Sequence, residues 1–247
     1  MQKLFISLAV LLGILAGISG YWYCYYVTYF PSNLTYRFAL KPIPTTLIST
    51  LVFSCFIIYG LKLYTCLIEI GIMFCLIGDI LLMLYLPEVS QISGYKHIQF
   101  ILAGGSSFFL ARVCFTLSYL LLRKPYMRKN YIKPSLYKAM GCLAFPLFFT
   151  VSVGVYFIGT TEGVIKYLLP GYILMMGVQA YISVLRIGHP NEYLTSQILG
   201  SIGAHLFFIS DTILFYNVFV ETIKYLDIIS ISIYWLSLYL MSLSVVR

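Results

Sequence analysis

Charged residues are scarce in this chain. Only 10% of its 247 residues are Asp, Glu, Lys or Arg, whereas 61% are hydrophobic. A soluble globular domain has about 25% charged residues, because its surface must face water. The composition therefore excludes an ordinary soluble domain and indicates an integral, multi-pass membrane protein.

The chain also lacks the patterns of metal sites and nucleic-acid-binding proteins. Its six cysteines lie in apolar stretches without the short spacing of metal ligands, so we interpret them as small packing residues. The net charge of +8 has a local source, because six of the sixteen basic residues fall at positions 123–138. Such a segment between apolar runs is typical of a cytoplasmic loop. We expect no metal, no cofactor and no nucleic-acid partner.

Long apolar runs are what this sequence has in abundance. A helix needs roughly 20 apolar residues to cross a bilayer, and eight runs between Pro, Gly and charged residues approach this length. We predict an all-α, polytopic transmembrane bundle of about eight helices that forms a single membrane domain over residues 1–247. The predicted spans are 4–29, 43–60, 65–86, 98–122, 139–158, 166–186, 196–220 and 227–246.

Basic residues are unequally distributed over the ends of these spans. With the N-terminus inside, the inner ends carry the segment at 123–138 together with Lys3, Lys62, Arg186 and Arg247, whereas the outer ends carry only five Lys and Arg. Because basic residues are retained on the cytoplasmic side, we predict that both termini are cytoplasmic.

Two acidic side chains lie deep inside predicted spans. Asp79 follows the start of the third span by fourteen residues, and Asp211 follows the start of the seventh by fifteen. A helix rises 1.5 Å per residue, which places both about 21 to 23 Å from the inner ends. A carboxylate at this depth costs about 3 kcal/mol or more, so such residues usually face a cavity and serve a function. We expect these two to meet across the bundle.

A pair of carboxyl groups in a medium of low dielectric constant cannot stay doubly ionised, so it presents an acid and a base together. Such a pair is suited to acid-catalysed hydrolysis or to proton transport, and hydrogen bonding between helices is a structural alternative. Arg112, in the middle of the fourth span, either neutralises one carboxylate or holds a substrate phosphate.

Several segments, in order along most of the chain, resemble one known family. They are Lys-Pro-Ile-Pro-Thr at 41–45, Phe-Cys-Leu-Ile-Gly-Asp at 74–79, Phe108 four residues before Arg112, Tyr172, and Gly-Ala-His-Leu-Phe-Phe-Ile-Ser-Asp at 203–211 followed by Asn217. The family is YhhN, which includes the lysoplasmalogenases of animals and bacteria. Each segment alone is weak, but the Gly-Asp and Ser-Asp pair together with Lys-Pro is fairly specific.

The resemblance implies an eight-helix ether hydrolase that cleaves the vinyl ether bond of lysoplasmalogen to a fatty aldehyde and glycerophosphoethanolamine or glycerophosphocholine. The family aspartates correspond to Asp79 and Asp211, which are then catalytic. The partners implied are a lysophospholipid substrate and membrane lipid, in the endoplasmic reticulum if the source is a eukaryote. The expected substrate-binding residues are Lys41, Arg112, Tyr172, Ser210 and Asn217, with Lys41 and Arg112 assigned to the phosphate from their charge.

Two positions depart from the family pattern. The family commonly carries His where Arg112 stands and Gln where Leu238 stands. If that His shuttles protons, this chain works differently, prefers another lipid or is inactive. The main alternative is a proton-coupled transporter, because buried carboxylates and an arginine could also relay protons. An intramembrane aspartyl protease would need Gly at Leu76 and a Pro-Ala-Leu motif, both of which the sequence lacks.

Overall fold

The regular secondary structure of the described residues is entirely α-helical. The computed structural model describes residues 2–30, 34–84, 98–121, 136–161, 163, 165–188 and 193–245, and none of these is in a strand. The helices in these ranges are α1 (Gln2–Tyr29), α2 (Leu34–Leu40), α3 (Pro42–Tyr59), α4 (Leu63–Met83), α5 (Ile98–Leu121), α6 (Leu136–Thr160), α7 (Ile165–Leu185), α8 (Leu194–Phe219) and α9 (Leu226–Leu243).

Seven helical segments among the described residues are long and apolar enough to cross a membrane. They are α1, α2 joined to α3, α4, α5, α7, α8 and α9, whereas the apolar stretch found in α6, Pro146–Thr160, is shorter. The prediction of an all-α, multi-pass membrane protein is confirmed. Each predicted span matches a helix to within a few residues at either end, and the cytoplasmic location of the termini stays a prediction.

Helix α2 is absent from the predicted spans. It ends at Leu40, and Lys41 continues in helical conformation with φ −59° and ψ −43° before α3 begins at Pro42. Proline suits the first turn of a helix because its missing N–H would have no partner inside the helix. The Lys-Pro pair therefore marks the start of α3, as predicted, but it follows a short helix rather than a loop.

The chain divides into two compact units, Met1–Cys114 and Phe115–Arg247, and α5 passes from the first into the second. The prediction of a single membrane domain is not tested by this division. In unit 1, α3 packs against both α1 and α4, and α2 packs against α1 and α3. In unit 2, α8 packs against both α7 and α9, and α6 packs against α7.

The core of unit 1 consists of side chains at helical spacing on α3 and α4. Three- and four-residue steps place such residues on one face of a helix. Fully buried apolar residues at these positions are Ile48, Leu51, Val52 and Cys55 on α3, and Ile68, Ile72 and Cys75 on α4. Asp79 comes four residues after Cys75, so α4 presents its carboxylate on the same buried face.

Small residues allow the helices to approach closely. A Cβ atom at Gly78 on α4 would lie 2.7 Å from the Phe108 ring of α5, and one at Gly203 on α8 would lie 2.8 Å from the carbonyl oxygen of Ser237 on α9. Lipid supplies no hydrophobic force between helices, so close packing of this kind holds a membrane bundle together.

A buried arginine connects three helices of unit 2. Arg186, just after α7, is only 1% exposed and donates to Ser196 Oγ near the start of α8 at 3.2 Å. Ser196 in turn donates to the carbonyl oxygen of Ser244, at the end of α9. The guanidinium also lies over the Tyr119 ring, 5.3 Å from its centroid. Because the carboxyl end of a helix is partially negative, this cation stabilises the ends of α7 and α9.

We predict that Gly203→Ala lowers the free energy of unfolding by about 1 to 3 kcal/mol, the usual cost of overpacking. The added methyl group would meet backbone atoms of α9, which cannot move as a flexible side chain can. Unfolding in mixed detergent measures the effect. Gly171→Ala on α7 is the matched control, since a Cβ there meets nothing within 4 Å, and equal stability of the two variants would contradict the prediction.

Candidate functional site

Asp79 lies near the end of α4 and is 3% exposed. Lys41, immediately before α3, and Thr45, four residues later on α3, both contact Asp79. The ammonium Nζ of Lys41 is 3.7 Å from Asp79 Oδ1 and donates to the Asp79 backbone carbonyl at 3.5 Å. Thr45 Oγ1 donates to the other carboxyl oxygen, Oδ2, at 3.1 Å. One face of α3 thus supplies a cation and a hydroxyl to a single carboxylate.

Asp211 lies on the buried face of α8 and is 5% exposed. The phenol of Tyr172, on α7, donates to Asp211 Oδ2 at 2.6 Å. The Tyr172 ring packs edge-on against Phe215 of α8, with ring centroids 5.2 Å apart. The structure therefore brings two of the predicted site residues of unit 2, Tyr172 and Asp211, into direct contact.

Ser210 and Asn217, the other predicted site residues of unit 2, make contacts within the fold. Ser210 Oγ donates to the backbone carbonyl of Ser230 on α9 at 2.8 Å, and Ser230 Oγ returns a bond to the carbonyl of Ser210 at 2.9 Å. The side-chain oxygen of Asn217 accepts from the backbone N–H of Ile223 at 2.8 Å. Ser210 therefore links α8 to α9, and Asn217 holds the segment between these two helices. The contact of either residue with a substrate stays a prediction.

Arg112 is fully buried on α5, with 0% of its surface exposed. A buried guanidinium is always charged and presents five N–H donors, so its surroundings must supply acceptors. The position where the family commonly has His is therefore occupied here by a fixed cation. Its assignment to a substrate phosphate stays a prediction.

The two units repeat one arrangement around their aspartates. In each unit a hydroxyl on the preceding long helix donates to Oδ2 of the aspartate, from Thr45 on α3 and from Tyr172 on α7. The residue before each aspartate contacts the following helix, Gly78 against α5 and Ser210 against α9. Both aspartates therefore have the same two kinds of neighbouring contact.

Thr45 is absent from the predicted site residues, although it contacts a predicted catalytic residue. A signal for it was present in the sequence, because Thr45 follows Lys41 by four residues and so lies on the same helix face. Glu69, a third intramembrane acid, also has a hydroxyl partner on α3: Ser49 Oγ donates to Glu69 Oε1 at 2.5 Å. Lys41, Thr45 and Ser49 form a polar stripe at four-residue intervals along α3.

The described part of the chain contains no group of three or more His, Cys, Asp and Glu that could hold a metal ion. The chemistry available from the described contacts is that of carboxyl, hydroxyl and ammonium groups. Carboxyl groups held by fixed donors in a water-poor interior can transfer protons and can stabilise a cationic intermediate.

The YhhN family model matches residues 36–245, which is most of the chain. This range includes both aspartates and the residues Lys41, Thr45 and Tyr172 that contact them. No curated protein and no solved structure is similar enough to the chain to count as a match.

We predict that Lys41 and Asp79 are energetically coupled. Lys41→Met leaves a buried carboxylate without its cation and should cost about 2 kcal/mol of unfolding free energy. In the Lys41→Met/Asp79→Asn double variant, the loss should be smaller than the sum of the single losses by at least about 1 kcal/mol. A double-mutant cycle of unfolding free energies measures this, with the exposed Lys62→Met as the control. Additive losses would show that the contact contributes nothing.

Proposed function

Because the chain belongs to the YhhN family, we propose that it is a lysoplasmalogenase-like ether hydrolase. Its substrate is a lysoplasmalogen, a lysophospholipid whose single chain is attached to glycerol through a vinyl ether. Its products are a fatty aldehyde and glycerophosphoethanolamine or glycerophosphocholine. A multi-pass membrane protein receives such a substrate directly from the surrounding lipid.

The observation that supports the proposal is that each unit holds a buried aspartate with a hydroxyl donor on Oδ2. Vinyl ethers are stable to base and are cleaved by acid, so an enzyme needs a positioned proton donor and a group that stabilises positive charge. Two carboxyl groups in different protonation states supply both functions.

In the proposed reaction, one aspartic acid gives its proton to the vinyl carbon remote from oxygen. A C–H bond forms from the π electrons, and the carbon next to oxygen becomes an oxocarbenium ion. The other aspartate stabilises this cation and accepts a proton from the water that attacks it. The resulting hemiacetal loses its hydroxyl proton, the glycerol oxygen gains one, and the C–O bond breaks to release the aldehyde.

The cations of the site are proposed to hold the substrate phosphate. Lys41 remains partly exposed, at 13% of its side chain, beside the carboxylate of Asp79, and the guanidinium of Arg112 suits bidentate binding of phosphate oxygens. Tyr172, Ser210 and Asn217 are proposed to line the substrate site of unit 2. Because Arg112 stands where the family commonly has His, the proposed proton transfer uses no histidine at this position.

The proposed orientation places both termini in the cytoplasm, as the distribution of basic residues predicts. In a eukaryotic cell the proposed compartment is the endoplasmic reticulum. Membrane lipid is the proposed partner of the apolar outer surface, which includes Ile57, Phe148 and Tyr167 at 70% exposure or more.

We predict that the purified protein releases aldehyde from a lysoplasmalogen and none from the saturated ether analogue, which cannot form an oxocarbenium ion by protonation. Asp79→Asn and Asp211→Asn should each lower the rate by about 100-fold or more, since an amide can neither donate nor accept the proton. Aldehyde measured against time for both substrates is the readout.

The matched control for these variants is Asp227→Asn, because Asp227 is an exposed residue in the first turn of α9. It should retain the activity of the parent protein. Absence of aldehyde from well-folded parent protein would falsify the proposal. Proton flux into vesicles that depends on Asp79 and Asp211, without aldehyde release, would support the transporter instead.

A further inference from the structure

We infer that Thr45 is a positioning residue that holds the Asp79 carboxyl in its reactive orientation. The inference rests on the proposed function, in which Asp79 acts on the substrate. Its evidence is the arrangement of hydroxyl groups on α3 and the two donors at Asp79.

The hydroxyl of Thr45, like that of Ser49, donates to an acidic side chain on α4, whereas three other hydroxyls of α3 bond to their own helix. Thr46, Thr50 and Ser54 each donate to the backbone carbonyl four residues earlier, at 2.9, 2.9 and 2.7 Å. This is the usual arrangement for a hydroxyl in a helix that has no other acceptor. Thr45 instead donates across to α4, to Asp79 Oδ2. The hydroxyl of Thr45 therefore bonds to a neighbouring helix and not to its own backbone.

The surroundings of Thr45 leave its side chain little freedom. The residue is 0% exposed, and a β-branched side chain in a helix has few accessible χ1 rotamers. The hydroxyl is therefore fixed by packing before it meets the carboxyl. A donor that is already in place orients its acceptor at little entropic cost.

A carboxyl group by itself turns easily about its last torsion, which has a broad energy profile. In Asp79 the two oxygens have different neighbours, Thr45 at Oδ2 and Lys41 at Oδ1. The hydroxyl contact is the shorter, at 3.1 Å against 3.7 Å. Without it Oδ2 would lose a donor that packing holds in place, and the orientation of the carboxyl would be less closely fixed.

Unit 2 provides a second example of the same arrangement. Tyr172 donates to Oδ2 of Asp211 from α7, while the neighbouring Thr212 bonds to its own helix, at Phe208 O. In both units a hydroxyl on another helix orients the aspartate, although the donor residues differ in size and chemistry.

The test compares Thr45→Val, Thr45→Ser and Thr46→Val with the parent protein. Thr45→Val keeps the branched shape and removes the donor, so kcat for aldehyde release should fall about 10- to 100-fold, the range for losing a hydrogen bond to a charged group. KM should change by less than about threefold, because Thr45 orients the carboxyl rather than binding the substrate. Thr45→Ser restores the donor and should recover most of kcat. Thr46→Val removes only a hydroxyl that bonds to its own backbone and should leave both constants unchanged.

A second measurement does not depend on activity. The infrared carboxyl band of Asp79, identified by its loss in Asp79→Asn, should shift in Thr45→Val and return in Thr45→Ser. If the parent protein is active but Thr45→Val has parental kcat, or loses activity only as folded protein is lost, the inference is wrong and the hydrolase proposal stands. If the parent protein releases no aldehyde, the hydrolase proposal fails, and an unshifted band would show that Thr45 does not orient the carboxyl either.

Discussion

Lipid offers no hydrogen-bond partner to a polar side chain, so every buried polar group in a membrane helix depends on what its neighbours present. This constraint governs the placement of the charged residues of this chain. Asp79 receives donors from α3, Asp211 receives one from α7, and Arg186 bonds to Ser196 on α8. The close helix contacts at Gly78 and Gly203 lie on the same helices as the aspartates, within one to eight residues of them. The helices that carry the aspartates therefore combine close packing with hydrogen bonds to their buried polar side chains.

The two units satisfy this constraint in the same order along the chain. A donor helix comes first, the aspartate helix follows, and the residue before the aspartate packs on the next helix. Glycine stands eight residues before each aspartate, at Gly71 and Gly203. Two different side chains, Thr45 and Tyr172, thus supply the same kind of hydrogen bond to the aspartates of the two units.

Holding the carboxyl groups rigidly has a direct consequence for catalysis. Stabilisation of a developing cation is most effective when the stabilising group does not need to turn during the reaction. Donors fixed by packing, such as the fully buried Thr45, provide this at the cost of burying more polar atoms.

The sequence alone determined the class of the protein, the approximate ends of its spans and the two aspartates as its unusual residues. These are local properties, since the length of an apolar run and the presence of an acid within it can be read without knowledge of the neighbours. It also led us to predict Lys41, from its charge, and Tyr172, from the resemblance to the family, as substrate-binding residues.

Only the tertiary structure decided which side chains these residues contact. It placed Thr45 and Lys41 at Asp79 and Tyr172 at Asp211. It also showed that Ser210 bonds to α9 and that Asn217 bonds to the segment between α8 and α9. The short helix α2 was likewise not predicted from the sequence and was found only in the structure. The physical reason is that a hydroxyl in a helix has two possible acceptors, its own backbone and a neighbouring helix. Which of them it meets depends on the rotation and separation of packed helices, and residues far apart in the sequence set both.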